Sequence, residues 1–392
     1  YSWYLRNPEY RNRVRKLVQS AFAGKPEDII SQSVAKALYG EVSPYSATRL
    51  ERFAACAFAH FLQYGMKLTE RVEYEFKPMD MGNVMHEALE SFAEEVRKRG
   101  MKWTELTEQE RNEIADRCLD NIVADYGNTV LKSSARNEYM IERTRRILRR
   151  TVWALQKQLE QGEFQPEGFE VTFGGGRIDR VDIMEDQNKV YVKVIDYKTG
   201  NTSFDLVYLY HGLQLQLMIY LDGALRVEQK KYPDKEIIPA GVFYYNIKDP
   251  MIQEKIDADV EAVSAGLMKE LKMNGLVQAD PELVYRMDSS LGSIPVAFNK
   301  DGSFRKNSSV ADRSQFAVLG RYVRTKIEKI RSSILEGDAE VSPYELGKKN
   351  ACTYCPYMTV CGFDRRLSGY EFRRLKNFSD EELWKAFDRE AE

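Results

Sequence analysis

Two short stretches hold most of the residues that could do chemistry. In "VKVIDYKTG", residues 192–200, Asp196 and Lys198 stand two apart at the end of an apolar run. Side chains alternate along a strand, so both share a face with Val190, Val192 and Val194. In "RIDRVDI", residues 177–183, the same alternation groups Asp179 with Val181 and Ile183, and puts Asp182 on the opposite face with Ile178 and Arg180. If the two runs form a hairpin, Asp179 and Asp196 bracket one divalent ion. Carboxylate oxygens with water or phosphate oxygens are the donors that Mg²⁺ or Mn²⁺ prefers. Such an ion polarises a phosphoryl group and lowers the pKa of a bound water, the chemistry of phosphodiester cleavage. Lys198 is then placed to stabilise developing charge or to orient the attacking water. An isolated Asp-x-Lys is equally an ion pair at a strand end. Here it is joined by "QLQLMIY", where Gln216 and Tyr220 lie one helical turn apart on one face.

The second stretch is "CTYCPYMTVC", which crowds Cys352, Cys355 and Cys361 together. The chain has 5 cysteines, and this odd count with a C-x-x-C suits a metal centre better than disulfides. Three thiols leave a four-ligand site one short, with Cys56 and Cys118 as candidates for the fourth. Four thiolates hold either an iron–sulfur cluster or zinc. Cys118, beside Leu119 and Ile122 on a helical pattern, reads as a buried free thiol.

The elements that must position these residues follow from periodicity. Residues 1–42 read as a helical connection to a missing N-terminal region, because the chain opens at Tyr1 on an aromatic stretch. "SATRLERFAACAFAHFLQYG" reads as one amphipathic helix, opened by a Thr48–Glu51 capping box and carrying Cys56 near its apolar stripe. A helix over 82–99 buries Met85, Leu89, Phe92 and Val96, with His86 beside that stripe, and 103–162 supplies two more. From Gly168 the period becomes two: a β-meander with glycines at 174–176 and a turn at "EDQN". The glycines could allow close approach to a phosphate or simply break the strand. A helix over 205–226, the strand "AGVFYYNI", helices over 250–290, a loop or hairpin at "IPVAFNKDGSF", a helix over 311–336 and a terminal helix opened by Ser379 and Glu382 complete the pattern. Arg143, Arg145, Arg146, Arg149 and Arg150 stud one helix, and Arg321, Arg324, Lys326, Lys329 and Arg331 another; each is either a path for phosphates or a solvated face with acidic partners.

Bulk composition narrows less. With 58 Lys and Arg against 60 Asp and Glu in 392 residues, the net charge of -2 excludes neither nucleic acid nor small molecules. No apolar run reaches the length of a membrane span and no secretory leader is present, so a cytoplasmic protein without a membrane partner is expected.

Four motifs in order, "GNVMH", "GRID", "IDYK" and Gln216-x-x-x-Tyr220, resemble those of the PD-(D/E)xK nucleases of the RecB type. Within that family the resemblance is to the nuclease region of the B subunits (AddB, RexB) of AddAB helicase-nucleases, over about residues 43–364. It implies an α/β fold: a restriction-endonuclease-like core, a small mixed sheet flanked by helices, with large helical insertions. The nuclease domain would span 43–375, with residues 376–392 as a C-terminal helix. The resemblance implies Asp179, Asp196 and Lys198 as catalytic residues, His86 as a third metal ligand with the two aspartates, and Gln216 and Tyr220 as DNA-binding. It selects Cys56 as the fourth thiolate with Cys352, Cys355 and Cys361 of a 4Fe-4S cluster, with zinc the second choice; Ala57 stands where the family has proline. That cluster would staple distant parts of the chain. The implied activity is that of a Mg²⁺- or Mn²⁺-dependent DNA exonuclease acting on the 5′-ended strand of unwound duplex ends in double-strand break processing, with an AddA-type helicase-nuclease subunit as partner. No G-x-x-x-x-G-K-S/T occurs, so ATP hydrolysis would reside elsewhere. The alternatives are a non-catalytic DNA-binding module of the same fold and a stand-alone exonuclease of the Cas4 kind.

Overall fold

The computed structural model describes residues 2–21, 29–40, 46–69, 78–125, 134–174, 176–253 and 259–391, so the loop at 41–45 and the middle glycine, Gly175, lie outside it. The chain forms two compact units. One comprises Arg71–Tyr210, Gln214–Arg324 and Trp384–Glu392; the other comprises Tyr1–Glu70, His211–Leu213 and Thr325–Leu383.

The first unit is built on a mixed sheet of β1 (Gln165–Phe173), β2 (Gly176–Asp186), β3 (Lys189–Lys198), β4 (Glu236–Asn246), β5 (Asn274–Gln278) and β6 (Val310–Ala311), in that spatial order. The expected meander is present: β1, β2 and β3 pair antiparallel. β4 then pairs parallel to β3, which requires a crossover, supplied by the helix Gln216–Lys231 packed on β2, β3 and β4. Val190, Val192 and Val194 are fully buried on one face of β3. Ile195 and Tyr197, on its other face, join a core with the helices Pro78–Lys98, Glu108–Asp125 and Ala135–Glu160. The four residues expected on the buried stripe of the first of these helices, Met85, Leu89, Phe92 and Val96, are all in that core.

Three expectations are corrected. The 250–290 region contains a strand as well as helices: β5 lies between the helices Val260–Glu270 and Pro281–Met287, because Asp280 caps the second helix and Pro281 starts it. The 205–226 helix is two, Leu206–Tyr210 and Gln216–Lys231, parted where Gly212 takes φ +77°. In the second unit the helix around Cys56 is also divided, into Ala47–Ala55 and Ala57–His60 with a π-turn at Phe61–Gly65. Cys56 there is extended at φ -166°, and the N–H of Phe58 donates to Glu340 O at 2.9 Å, so a tertiary partner replaces the helical one. The N-cap is Ser46, whose hydroxyl accepts from Arg49 N, and not Thr48. The terminal helix Asp380–Ala391 starts as expected, with Ser379 and Glu382 bonded to each other.

The second unit also holds a small sheet of β7 (Tyr344–Leu346), β8 (Lys349–Asn350) and β9 (Arg373–Arg374). Among the described residues no helix is long and apolar enough to cross a membrane.

Gly275 shows how closely β5 lies on β4: a Cβ there would sit 1.9 Å from Val242 O, a backbone atom that cannot yield. Gly275→Ala is expected to cost about 1–3 kcal/mol, read as a lowered midpoint in thermal or urea melts.

Candidate metal centre

The strand registers bring three carboxylates into a row. β2 and β3 pair Val181 with Val194 and Arg180 with Ile195, so the next residues, Asp179 and Asp196, stand opposite each other. β1 and β2 pair Phe169 with Arg180 and Val171 with Ile178, which brackets Glu170 opposite Asp179. Glu170, Asp179 and Asp196 therefore occupy three adjacent strands at one level, with Tyr244 of β4 next in line beside Asp196. From the helix Pro78–Lys98, His86 Nδ1 comes within 3.3 Å of Asp179 Oδ2 and 4.0 Å of Glu170 Oε1. His86, Glu170 and Asp179 each offer a ligand atom within 4.8 Å of the others. Asp179 Oδ2 also accepts from the backbone N–H of Tyr197 at 2.7 Å, which ties the row to the end of β3.

Asp196 faces a different partner. Its Oδ2 lies 2.6 Å from Lys198 Nζ. Lys198 donates to Gln216 Oε1 at 2.8 Å, and Gln216 Nε2 donates to the Tyr220 hydroxyl at 2.9 Å. The ammonium also stands over the Tyr244 ring, 5.4 Å from its centre. The division of the 205–226 helix matters here, because it makes Gln216 the first residue of a helix whose opening turn reaches Lys198. Behind Tyr220, Phe173 packs edge-on against the ring.

The electrostatics are those of a site short of positive charge. Burial and then the charge of Asp179 push the Asp196 carboxyl up to about 7 in spite of Lys198. Burial and Asp179 likewise push Glu170 up to about 7 against the pull of Arg177. Burial alone would depress His86, but its hydrogen bond to Asp179 and the charges of Asp179, Asp196 and Glu170 outweigh that and raise it. One imidazole nitrogen and several carboxylate oxygens are a donor set that fits a hard or borderline divalent cation.

Of the residues singled out from sequence, His86, Asp179, Asp196, Lys198, Gln216 and Tyr220 gather at this one centre. Glu170 was missed. Counting back across the β1–β2 turn from Asp179 would have found it, because its partner residue is set by hairpin register alone. The five arginines of the helix Ala135–Glu160 include four held by aspartates: Arg145 and Arg149 by Asp116, Arg145 also by Asp120, and Arg146 and Arg150 by Asp249. On the later basic helix Arg324 pairs with Asp222 and Arg331 with Glu328.

The cysteines assemble in the other unit. Cys56, Cys352, Cys355 and Cys361 line one small cavity, with Phe58, Tyr357 and Phe363 in its wall. Burial and then the charges of the other three thiols push Cys352 up to about 12. Arg52, one turn before Cys56, directs a guanidinium N–H at Cys355 Sγ, 3.9 Å away. Four thiols that raise one another's pKa, with a cation beside them, are a donor set that fits a soft metal centre. Cys118 is buried in the core of the first unit, and burial pushes its thiol up to about 11.

A mixed sheet with a carboxylate row and a lysine at the end of its central hairpin defines a nuclease fold. The chain belongs to the PD-(D/E)XK nuclease superfamily, whose sequence model matches residues 44–362. It is 42% identical to the B subunit of the ATP-dependent helicase/deoxyribonuclease of Lachnoclostridium phytofermentans, over 96% of this chain and 34% of that protein. Proteins of the same name from Thermoanaerobacter sp. strain X514 and Alkaliphilus metalliredigens are each 34% identical over 100% of this chain and 36% of theirs. The chain thus spans about a third of the length of the curated relatives it matches.

The raised carboxyls give a pH dependence of defined sign. A carboxyl whose folded pKa is raised contributes stability that is full below the unfolded value and lost as pH rises through the folded one. In chelator, wild type should therefore lose thermal stability between about pH 5 and about pH 8 more steeply than Asp196→Asn. Added Mg²⁺ should restore it at the upper end, and parallel melting curves for the two proteins would refute the assignment.

Proposed function

We propose that this chain is the metal-dependent exonuclease region of a helicase-nuclease subunit, cleaving DNA phosphodiester bonds with Mg²⁺ or Mn²⁺. The observation that carries the reading is the carboxylate row of Glu170, Asp179 and Asp196 with His86 at one end and Lys198 at the other. His86, Asp179 and Asp196 would hold the ion, which supplies polarisation of the phosphoryl oxygens and an acidified water. Lys198, held by Asp196 and Gln216, presents a fixed ammonium to the negative charge that develops on the phosphate. Gln216 and Tyr220 position the nucleic acid beside it. The names of the relatives support single strands from unwound duplex as substrate, an AddA-type helicase-nuclease subunit as partner, and a cytoplasmic place of action. The 5′-ended strand is the one the resemblance assigns.

In the same reading Cys56, Cys352, Cys355 and Cys361 hold a 4Fe-4S cluster that serves as a staple rather than as a catalyst. Cross-links over long spans of chain remove the most entropy from the unfolded state. Their shared cavity and the adjacent Arg52 support it.

Labelled single-stranded DNA incubated with the chain and Mg²⁺ or Mn²⁺ should be degraded, and Asp196→Ala and Lys198→Ala should each slow this by roughly 100-fold or more. Equal degradation by all three proteins, or by none, would favour a DNA-holding module without catalysis. For the staple, Cys56→Ala should lose its iron and become cleavable by protease within residues 340–375 while the sheet unit stays resistant. Protease resistance equal to wild type would count against it.

A further inference from the structure

Glu170 lies outside all four sequence motifs, yet its environment makes sense only beside a cation. It faces Asp179 directly across the β1–β2 pair, and like charges directly opposite one another weaken an antiparallel pair. Its side chain is only 7% exposed. Its backbone, in the interior of a strand, takes φ +49°, a conformation that residues with a side chain rarely adopt. The two carboxylate oxygens are divided. Oε1 turns toward His86, 4.0 Å away, and Oε2 is paired with Arg177 Nε. Arg177 is on an exposed arm, 63% accessible, at the start of β2.

An arginine that is mostly in water holds its carboxylate weakly, because solvent screens the pair. A divalent cation bound by oxygen and imidazole at the same point carries twice the charge and is coordinated rather than merely attracted. We propose that Glu170 is a further ligand of the metal, and that Arg177 is a displaceable counter-ion that neutralises Glu170 until the metal arrives. Once released, the Arg177 guanidinium stands at the mouth of the centre, where its fork suits a substrate phosphate. Metal loading and phosphate binding are thereby coupled through one ion pair. This rests on the nuclease reading of the same centre and adds to it a residue, a competition and a direction of coupling.

Titration calorimetry with Mn²⁺ alone, without DNA, tests the assignment on wild type, Glu170→Gln and Arg177→Met. Glu170→Gln should weaken Mn²⁺ binding by about tenfold or more. Arg177→Met should tighten it several-fold, because the competing cation is gone. With Ca²⁺ in place of Mn²⁺ to hold cleavage back, Arg177→Met should weaken binding of a short 5′-phosphorylated single strand. Wild-type Mn²⁺ affinity in Glu170→Gln, or unchanged or weaker affinity in Arg177→Met, overturns the proposal. Should Glu170→Gln fail to fold by circular dichroism, the exposed Arg177 substitution decides alone. A wild-type chain that binds no Mn²⁺ overturns the nuclease reading as well, whereas binding that neither variant alters overturns only the role of Glu170.

Discussion

Repulsion among Glu170, Asp179 and Asp196 is the constraint around which the sheet unit is organised. Three carboxylates at one level of three adjacent strands disfavour the hairpins that carry them. The local compensation is partial: a backbone N–H from Tyr197 for Asp179, Lys198 for Asp196, Arg177 for Glu170, and His86 beside two of the three. The rest comes from rigidity. Val190, Val192 and Val194 are fully buried below the row, and the strands cannot spread without exposing them. A centre held apart from water and from its preferred charge state in this way is prepared for a cation before one binds.

The opposite face of the same strands carries a second charged cluster with a different role. Arg180 makes a two-pronged contact with Asp182, and Lys193 lies 3.0 Å from the same carboxylate, all three buried. Arg180 also stands against the rings of Trp103 and Phe169. Buried ion pairs seldom add much net stability, but they penalise any arrangement that leaves a member unpaired. A slip of one residue between β2 and β3 would send Arg180 to the row and Asp179 into the core. The cluster can be satisfied in one register, and that register is the one that aligns Asp179 with Asp196.

The cysteine unit shows the same dependence of local structure on distant partners. Cys56 leaves helical geometry although its neighbours Ala54, Ala55 and Ala57 all favour helix. The break is sustained by the bond from Phe58 to Glu340 and by the packing of Cys56, Ala59 and Leu62 against Tyr357. It does not need a proline after the cysteine. Periodicity reads an unbroken stripe there, because a stripe records which side chains are apolar and not which backbone groups have been recruited by another segment.

Residue type and alternation were enough to place Asp179 and Asp196 on one face, Asp182 on the other, and Gln216 and Tyr220 one turn apart, since each of these depends only on local geometry. They also located the meander and the buried stripe of the helix that carries His86. Glu170 was invisible because its importance comes from strand register, and β5 because five residues after an Asn-Gly pair resemble a helix end as readily as a strand. The arginine-rich helix was undecidable for a related reason: whether a guanidinium faces DNA or Asp116 and Asp249 depends on segments far away in the chain. What the amino-acid order by itself determined was the inventory of the centre and the face each member occupies. Which carboxylates touch, which is paired with a cation, and how far their protons are held were decided only by tertiary structure, because burial and charge proximity are properties of the packed chain and not of its local pattern.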